Sequence, residues 1–189
     1  DENGRFGALG HGISDIDTGE LLSIADGNLY GAQILGIRKG EKGNPGELSG
    51  LIRYESGNLL GNISENRKNG IFGILDPEQL KKLALQKISI GYKQDLKTGP
   101  ASILSCTDGE VKEYAAEITR IDMNHEDTNK SFVLQITDKE LLEKTGGIVQ
   151  GMSGSPVIQN GKLFGAVTHV FVQDSTGGYG IFIENMTGV

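Results

Sequence analysis

The chain is poor in the features that mark disulfide-rich and membrane proteins. Its one cysteine, Cys106, cannot form an internal disulfide, so either the protein works in a reducing compartment or its fold needs no covalent link, and secretion by a bacterium stays open. No apolar run reaches the roughly eighteen residues of a membrane span, and the start has no signal peptide. Because the chain begins at Asp1 and not at Met, we expect a fragment or a processed form, in which an upstream targeting or membrane segment would not be visible.

The chain also lacks a basic surface pattern. Its 18 Lys and Arg residues are outnumbered by 25 Asp and Glu residues, which gives a net charge of −7. Since no stripe of positive charge could follow a phosphate backbone, nucleic acid is not an expected partner. The three histidines are far apart and the cysteine has no partner, so no metal-ligand spacing is present. We therefore expect neither a metal nor another cofactor.

Glycine is abundant, and short apolar runs separated by turn residues follow one another along the chain. With 29 glycines and no tryptophan, the pattern predicts a mostly β protein, a barrel or a sandwich. The 189 residues suffice for a single domain, which we expect over 1–189, or for two small barrels that share an interface. The runs that predict strands are 29–38, 47–53, 58–64, 70–75, 86–92, 101–106, 110–121, 130–136, 155–159, 162–172 and 178–183.

Two short helices are predicted by their N-terminal signals. Asp76 followed by Pro77 indicates a helix that runs to about Leu85. Thr137 with Glu140 forms a capping box for a second helix to about Lys144.

A weak internal repeat appears at a shift of 84 positions. Each copy opens on an Asp-Gly turn and continues with the pattern A-x-I-x-x-I, and two further apolar positions match downstream. The paired residues are Ala32 with Ala116, Ile34 with Ile118, Ile37 with Ile121, Leu48 with Phe132 and Ile52 with Ile136. Such an echo is expected of two similar β-units, which we place at about 1–92 and 93–189.

The run Gly151-Met152-Ser153-Gly154-Ser155-Pro156 is the strongest chemical signal. Glycines on both sides of Ser153 allow a tight turn, and such a turn can aim the N–H groups of Gly151 and Ser153 at one point beside the serine hydroxyl, as an oxyanion hole requires. Ser155 is the rival nucleophile. The alternative is an ordinary glycine-serine turn between two strands.

A serine nucleophile needs a base, and three histidines are available. His11 lies between two glycines, which would leave room for a substrate around its imidazole, although an exposed loop residue without a role would look the same. His169 follows Thr168 on the strand that leaves the serine turn and is the second candidate. His125 lies in a polar loop.

Two stretches together resemble the SpoIVB peptidase family, the stage IV sporulation signalling serine proteases. They are Phe6-Gly7-Ala8-Leu9-Gly10-His11-Gly12-Ile13-Ser14-Asp15 and the serine turn with its continuation through residues 157–170. The serine turn is also similar to the Gly-Asp-Ser-Gly-Gly-Pro run of trypsin-like proteases. The resemblance implies a mostly β fold of two barrel-like units with one or two short helices.

The resemblance also implies a serine endopeptidase with a Ser/His/Asp mechanism. It makes Ser153 the nucleophile, His11 the general base and Asp138 the third member, and it makes the strand Thr168-His169-Val170 the one that pairs with the substrate backbone. Asp138 also suits a helix N-terminus, and two rival acids are close to His11 in sequence. These rivals are Asp15 and Asp17.

Two departures from the trypsin-like pattern concern the fold. Met152 stands where those enzymes carry an aspartate that pairs with a new N-terminus, so we expect no such activation switch. His11 comes too early for the strands that usually precede the histidine, so either the first barrel is incomplete and rearranged or upstream residues finish it.

The family further implies a biological setting. Its members are similar to secreted or membrane-tethered enzymes with a transmembrane segment and a PDZ domain upstream, located between forespore and mother cell of an endospore-forming bacterium. They cleave a membrane-bound regulator of an intramembrane protease, and themselves. We expect this chain to meet the membrane only through segments outside it.

Other classes of protein remain as alternatives. A non-catalytic β-barrel that binds a protein or peptide would use the serine turn only as a tight hairpin. A cysteine hydrolase would depend on Cys106, which has no glycine turn or nearby base in sequence. A serine-lysine dyad would use one of three lysines, namely Lys139, Lys144 and Lys162.

Overall fold

The structure is a computed structural model and describes residues 1–83 and 85–187 of the chain. The mostly β prediction is confirmed. The strands are β1 (Arg5–Ala8), β2 (Gly27–Tyr30), β3 (Ala32–Arg38), β4 (Glu47–Ile52), β5 (Leu59–Arg67), β6 (Gly70–Leu75), β7 (Ser89–Ile90), β8 (Gly99–Cys106), β9 (Val111–Ile121), β10 (Phe132–Ile136), β11 (Pro156–Gln159), β12 (Lys162–Val170) and β13 (Gly177–Phe182). The helices are α1 (Pro77–Lys82), α2 (Lys139–Thr145) and α3 (Ile183–Thr187).

Six strands of the C-terminal half close into a barrel. Their order is β11-β8-β9-β10-β13-β12, and pairing of β11 with β12 completes the ring. Side chains alternate along β9, where Tyr114, Ala116 and Ile118 point inward and are buried. The buried large side chains that fill this barrel include Ile103, Phe132, Leu134, Val157, Phe164 and Phe182.

The N-terminal half contains an open sheet and a separate hairpin. The sheet has the strand order β1-β6-β5-β2, while β3 and β4 pair only with each other as strands. In the part of the chain that the structure describes, these strands form no second closed barrel. This arrangement is compatible with both alternatives raised by the early position of His11, namely a rearranged first unit and a unit that upstream residues complete.

The repeat at a shift of 84 positions corresponds to two hairpins with the same register. In β3–β4, Ile37 lies opposite Leu48 and Ala32 opposite Ile52. In β9–β10, the equivalent pairs occur at the same shift, as Ile121 opposite Phe132 and Ala116 opposite Ile136. The hairpins differ in their surroundings, because β9–β10 belongs to the barrel and β3–β4 does not.

The helices begin where capping chemistry allows. The Asp76 side chain accepts hydrogen bonds from the N–H groups of Glu78 and Gln79 at the start of α1. This helix ends at Lys82, before the predicted end at about Leu85, because Leu83 is extended; Ala84 lies outside the described residues.

The second helix starts one residue later than its capping box predicts. Its N-cap is Asp138 and not Thr137, since the Asp138 side chain accepts the hydrogen bond of the Leu141 N–H. Strand β1 and helix α3 correspond to no element that the sequence predicts. Of the helices described here, none is long and apolar enough to cross a membrane.

Gly180 is required for packing inside the barrel. It lies opposite Phe132 in the β10–β13 pairing, and a Cβ atom on Gly180 would come within 2.3 Å of the Phe132 ring. Phe132 is 1% exposed and cannot move into solvent. We expect Gly180→Ala to lower the free energy of unfolding by about 1–3 kcal/mol through overpacking, as measured by chemical denaturation. Gly36→Ala is the control, because a Cβ atom there meets nothing within 4 Å; equal stability of the two variants would contradict the packing argument.

Candidate active site

Residues 151–156, here called the serine loop, connect the segment after α2 to β11. Met152 is 1% exposed and anchors the loop in the barrel core, where its N–H donates to the carbonyl of Val149. The Gly154 N–H donates to the Val167 carbonyl on β12, at 2.8 Å. Gly154 has a φ of +89°, and a Cβ atom on it would come within 2.8 Å of the Leu9 backbone, so this position needs glycine. The serine loop is therefore held by the barrel core at Met152 and by strand β12 at Gly154.

Two N–H groups of the serine loop have no acceptor among the residues that the structure describes. The amides of Met152, Gly154 and Ser155 all donate to carbonyl groups. Within residues 1–83 and 85–187, those of Gly151 and Ser153 donate to none. Gly151 is exposed and has a φ of +101°. These are the two amides that the sequence predicts for an oxyanion hole, and the structure leaves both free to bind an external acceptor.

The Ser153 hydroxyl lies beside the His11 imidazole, although 142 positions separate the two residues. Ser153 Oγ is 3.0 Å from His11 Nε2 and 2.9 Å from the Thr168 carbonyl oxygen. Its single hydrogen can point to either acceptor. The structure thus brings together the serine and the histidine that the sequence singles out.

His11 has a defined tautomer because of its second ring nitrogen. His11 Nδ1 is 3.0 Å from the Gly12 carbonyl oxygen, which can only accept a hydrogen bond. In the neutral ring, Nδ1 therefore carries the hydrogen and Nε2 presents its lone pair to Ser153. No side-chain motif could reveal this carbonyl group, because it belongs to the backbone.

The turn that presents His11 is tight. Leu9 and Gly10 have φ values of +68° and +71°, and a Cβ atom on Gly10 would lie 2.9 Å from the side chains of Ile181 and Thr168. The turn therefore packs directly on the barrel strands β12 and β13, and this close contact places the imidazole over Ser153.

The strand Thr168-His169-Val170 borders the site. On one side it pairs with β13, where His169 lies opposite Tyr179. On the other side, pairing of β11 with β12 ends at Pro156 and Ala166, so no described strand covers the edge at Thr168 and Val170. This free edge is where the resemblance to the peptidase family implies that a substrate backbone pairs.

His169 packs against His11. The two ring centroids are 5.0 Å apart with the planes tilted by 36°, and His169 Nδ1 is buried without a partner among the residues described. Burial, and then the nearby His11, lower the pKa of His169. A neutral second imidazole therefore supports one face of the first.

Asp138 forms its hydrogen bonds away from His11. Its carboxylate accepts from the N–H of Leu141, at 3.0 Å, and from the N–H of Ala115, at 3.3 Å. It caps α2 and attaches this helix to β9. The structure does not bring it to His11, and the assignment of Asp138 as the third member of a triad stays a prediction.

The rival acid Asp15 forms its hydrogen bonds within its own turn. Asp15 accepts hydrogen bonds from the backbone and hydroxyl of Thr18 and from the Asp17 N–H, and these bonds lower the pKa of Asp15. No carboxylate in the part of the chain that the structure describes is hydrogen-bonded to His11.

The alternative nucleophiles and bases have other surroundings. Ser155 lies at the start of β11, where its carbonyl and N–H are both bonded to backbone groups. Hydrogen bonds to Glu140 and Asp108 raise the pKa of Lys144, which makes this lysine a poor base. Among the described residues, no three of His, Cys, Asp and Glu are grouped in a way that could hold a metal ion.

The lowered pKa of His169 has a consequence for stability. An unfolded chain gains a proton at this histidine below about pH 6.5, whereas the folded protein resists it because burial disfavours the charge. The unfolded state therefore binds more protons, and stability falls as pH falls below that value. We expect the melting temperature of His169→Phe to depend less on pH between about 7 and 5 than that of the wild type. Differential scanning calorimetry across this range measures both slopes, and equal slopes would contradict the burial of the imidazole.

The chain is similar in sequence to one protein family and in structure to several solved proteases. The sequence model of the family described as SpoIVB peptidase S55 matches residues 1–187, whereas no curated protein matches significantly. The structure of the Rv3671c protease in its inactive form is 15% identical to this chain in sequence and has a TM-score of 0.49. The match covers 71% of this chain and 68% of that protein. The active form of the same protease, from M. tuberculosis, is 14% identical and has a TM-score of 0.45. That match covers 69% of this chain and 62% of the protease.

The HtrA-type protease AlgW, solved with a decapeptide, is 14% identical with a TM-score of 0.46. The match covers 88% of this chain but 48% of that protein, so the chain spans about half the length of AlgW. With 187 of its 189 residues matched by the family, the chain belongs to the SpoIVB peptidase family and is a serine peptidase.

Proposed function

We propose that the chain is an endopeptidase in which Ser153 is the nucleophile and His11 the general base. The observation that carries the proposal is the 3.0 Å distance between Ser153 Oγ and His11 Nε2, with the Nδ1 hydrogen directed at Gly12. His11 takes the hydroxyl proton while Ser153 Oγ forms a bond to the carbonyl carbon of the scissile peptide. The same proton then passes to the leaving amine, which departs and leaves an acyl-enzyme for water to hydrolyse.

The free amides of Gly151 and Ser153 would stabilise the oxyanion that develops during this attack. Neither N–H group has an acceptor among the described residues, so binding the oxyanion breaks no hydrogen bond there. One such donor is worth about 3 kcal/mol in serine proteases.

The Gly12 carbonyl takes the place that a carboxylate occupies in a triad. It holds the His11 ring in the productive tautomer, and it accepts the same hydrogen bond when the ring becomes an imidazolium. A neutral carbonyl stabilises that cation less than a carboxylate would. His169, packed on the ring face, limits the rotation of His11.

The substrate is expected to bind as an added strand. The open edge of β12 at Thr168, His169 and Val170 runs directly past Ser153, so an extended peptide paired there would bring its carbonyl group to the nucleophile. The Ser153 hydroxyl would exchange its contact with the Thr168 carbonyl for the one with His11.

The biological role proposed here follows from the family. SpoIVB peptidases are sporulation proteases, which supports cleavage of a membrane-bound regulator of an intramembrane protease, and of the enzyme itself, between forespore and mother cell. The single peptidase domain over 1–189, with units at about 1–92 and 93–189, is part of the same proposal.

A fluorophosphonate probe tests the nucleophile. We expect labelling of the wild type, complete loss of labelling in Ser153→Ala and a decrease of at least about 1000-fold in the labelling rate of His11→Ala, since the hydroxyl then lacks its base. Ser155→Ala is the matched control in the same loop and should be labelled at the rate of the wild type. An unlabelled but folded wild type would favour the non-catalytic binding module.

Asp138 is tested by separating its two possible roles. If it only caps α2, Asp138→Asn keeps the cap and the activity, whereas Asp138→Ala costs about 1 kcal/mol of stability. We expect this result, because its carboxylate is bonded to Leu141 and Ala115. A loss of about 10⁴-fold in the labelling rate of Asp138→Asn, with unchanged melting temperature, would instead identify it as the triad acid.

A further inference from the structure

The β3–β4 hairpin crosses from the N-terminal half to the residue that precedes the serine loop. The Leu48 N–H donates to the Gln150 carbonyl, and the Gln150 N–H donates to the Gly46 carbonyl, both at 2.8 Å. Glu47 and Gln150 thereby form an isolated parallel bridge. Strand β4 is thus hydrogen-bonded on one edge to β3 and on the other to the approach to Gly151.

The Leu48–Gln150 hydrogen bond constrains the Gly151 N–H. The peptide unit between Gln150 and Gly151 is planar and trans, so its C=O and its N–H point in opposite directions. Because the Gln150 oxygen is directed at the Leu48 N–H, the Gly151 N–H must point away from the hairpin. This N–H has no acceptor among the residues described, so no other hydrogen bond of its own fixes its direction.

The Leu48 side chain adds a steric constraint. A Cβ atom on Gly151 would lie 3.1 to 3.4 Å from three carbons of Leu48, so the leucine covers the Cα of Gly151 directly. Leu48 also packs against the buried core of the barrel. At a φ of +101°, reached easily only by glycine, Gly151 could turn its peptide over unless something held it. The Leu48 side chain packs against the Gly151 Cα, which is the atom next to the bond about which such a rotation takes place.

The hairpin itself is firmly attached to the barrel. The Gly40 N–H donates to the Thr145 carbonyl at the end of α2, and the Gly43 N–H donates to the Val172 carbonyl just after β12, both at 2.8 Å. Gly46 has no room for a side chain, because a Cβ atom there would lie 2.2 Å from the Arg38 carbonyl oxygen. The segment between β3 and β4 is therefore hydrogen-bonded to the chain at two places, one before the serine loop and one after β12.

We infer that Leu48 is a positioning residue for the reaction: through its N–H and its side chain, it orients the Gly151 N–H and so keeps the oxyanion hole formed. The inference rests on the proposed function, because it assigns the Gly151 amide to the oxyanion. Leu48 acts through Gly151 and touches no reacting atom. Removing its side chain should slow the step in which the tetrahedral centre forms and leave the affinity for the unreacted probe unchanged.

Leu48→Ala and Leu51→Ala form a matched pair to test the inference. Both positions are leucines on β4, but Leu51 is 43% exposed and lies opposite Gln33, away from the serine loop. We expect the maximal inactivation rate of Leu48→Ala by a fluorophosphonate to fall by about 10- to 100-fold, because one oxyanion donor is misdirected. The half-saturating probe concentration should stay within threefold, and Leu51→Ala should behave as the wild type.

A spectroscopic measurement separates positioning from loss of structure. The ³¹P chemical shift of the phosphonylated serine reports hydrogen bonds to the phosphoryl oxygen, so it should move in Leu48→Ala and not in Leu51→Ala. If the alanine variant is unfolded at the assay temperature, Leu48→Val and Leu51→Val give the same comparison with a smaller truncation.

Equal rates and equal ³¹P shifts for folded Leu48 and Leu51 variants would overturn the inference, as would a weaker probe affinity at an unchanged maximal rate. Failure of the proposed function gives a different result, namely no Ser153-dependent labelling of the wild type.

Discussion

The contact between His11 and Ser153 depends on how closely the N-terminal sheet approaches the barrel. Gly10 lies where any side chain would collide with Ile181 and Thr168, and Gly154 lies where one would collide with Leu9. These two glycines let the histidine turn and the serine loop come together, and the 3.0 Å hydrogen bond forms at their junction. The site is thus made by packing between two halves of the chain, each of which supplies one of the reacting groups.

The sequence predicts the serine and the histidine at this junction better than it predicts the group that is hydrogen-bonded to the histidine. Ser153, Gly151 and His11 are recognisable because two glycine-flanked motifs occur together and resemble those of one peptidase family, whereas either turn alone would also suit an ordinary loop. The acid is different, since an aspartate three residues before a helical N–H suits a cap as well as a triad. In the structure Asp138 makes the capping contacts, and the backbone of Gly12 bonds to His11.

The fold is likewise predicted from the sequence only in part, because local patterns indicate the strands but not how the strands pair. Local patterns predict nearly every strand, and the repeat at a shift of 84 positions identifies two hairpins of equal register, because alternation and turn residues act within a few positions. Which strand a hairpin joins is decided by long-range pairing that no short pattern contains. The β9–β10 hairpin joins a barrel of six strands, whereas β3–β4 stays outside the N-terminal sheet. Strand β1 has only four residues and lacks the apolar run that a local pattern would need to indicate a strand.

Because of this difference in pairing, the β3–β4 hairpin can hydrogen-bond the chain beside the serine loop, whereas the β9–β10 hairpin cannot. Both edges of β9 and β10 are occupied by barrel neighbours, so their N–H groups are committed to the sheet. Strand β4 has only β3 beside it, and its other edge keeps the Leu48 N–H available for Gln150. An exposed strand edge is usually a liability for a β protein. Here part of that edge is satisfied by the peptide unit between Gln150 and Gly151, whose orientation determines where the Gly151 N–H points. Among the described strands β4 pairs only with β3, and its second edge therefore has a backbone donor that can support the serine loop.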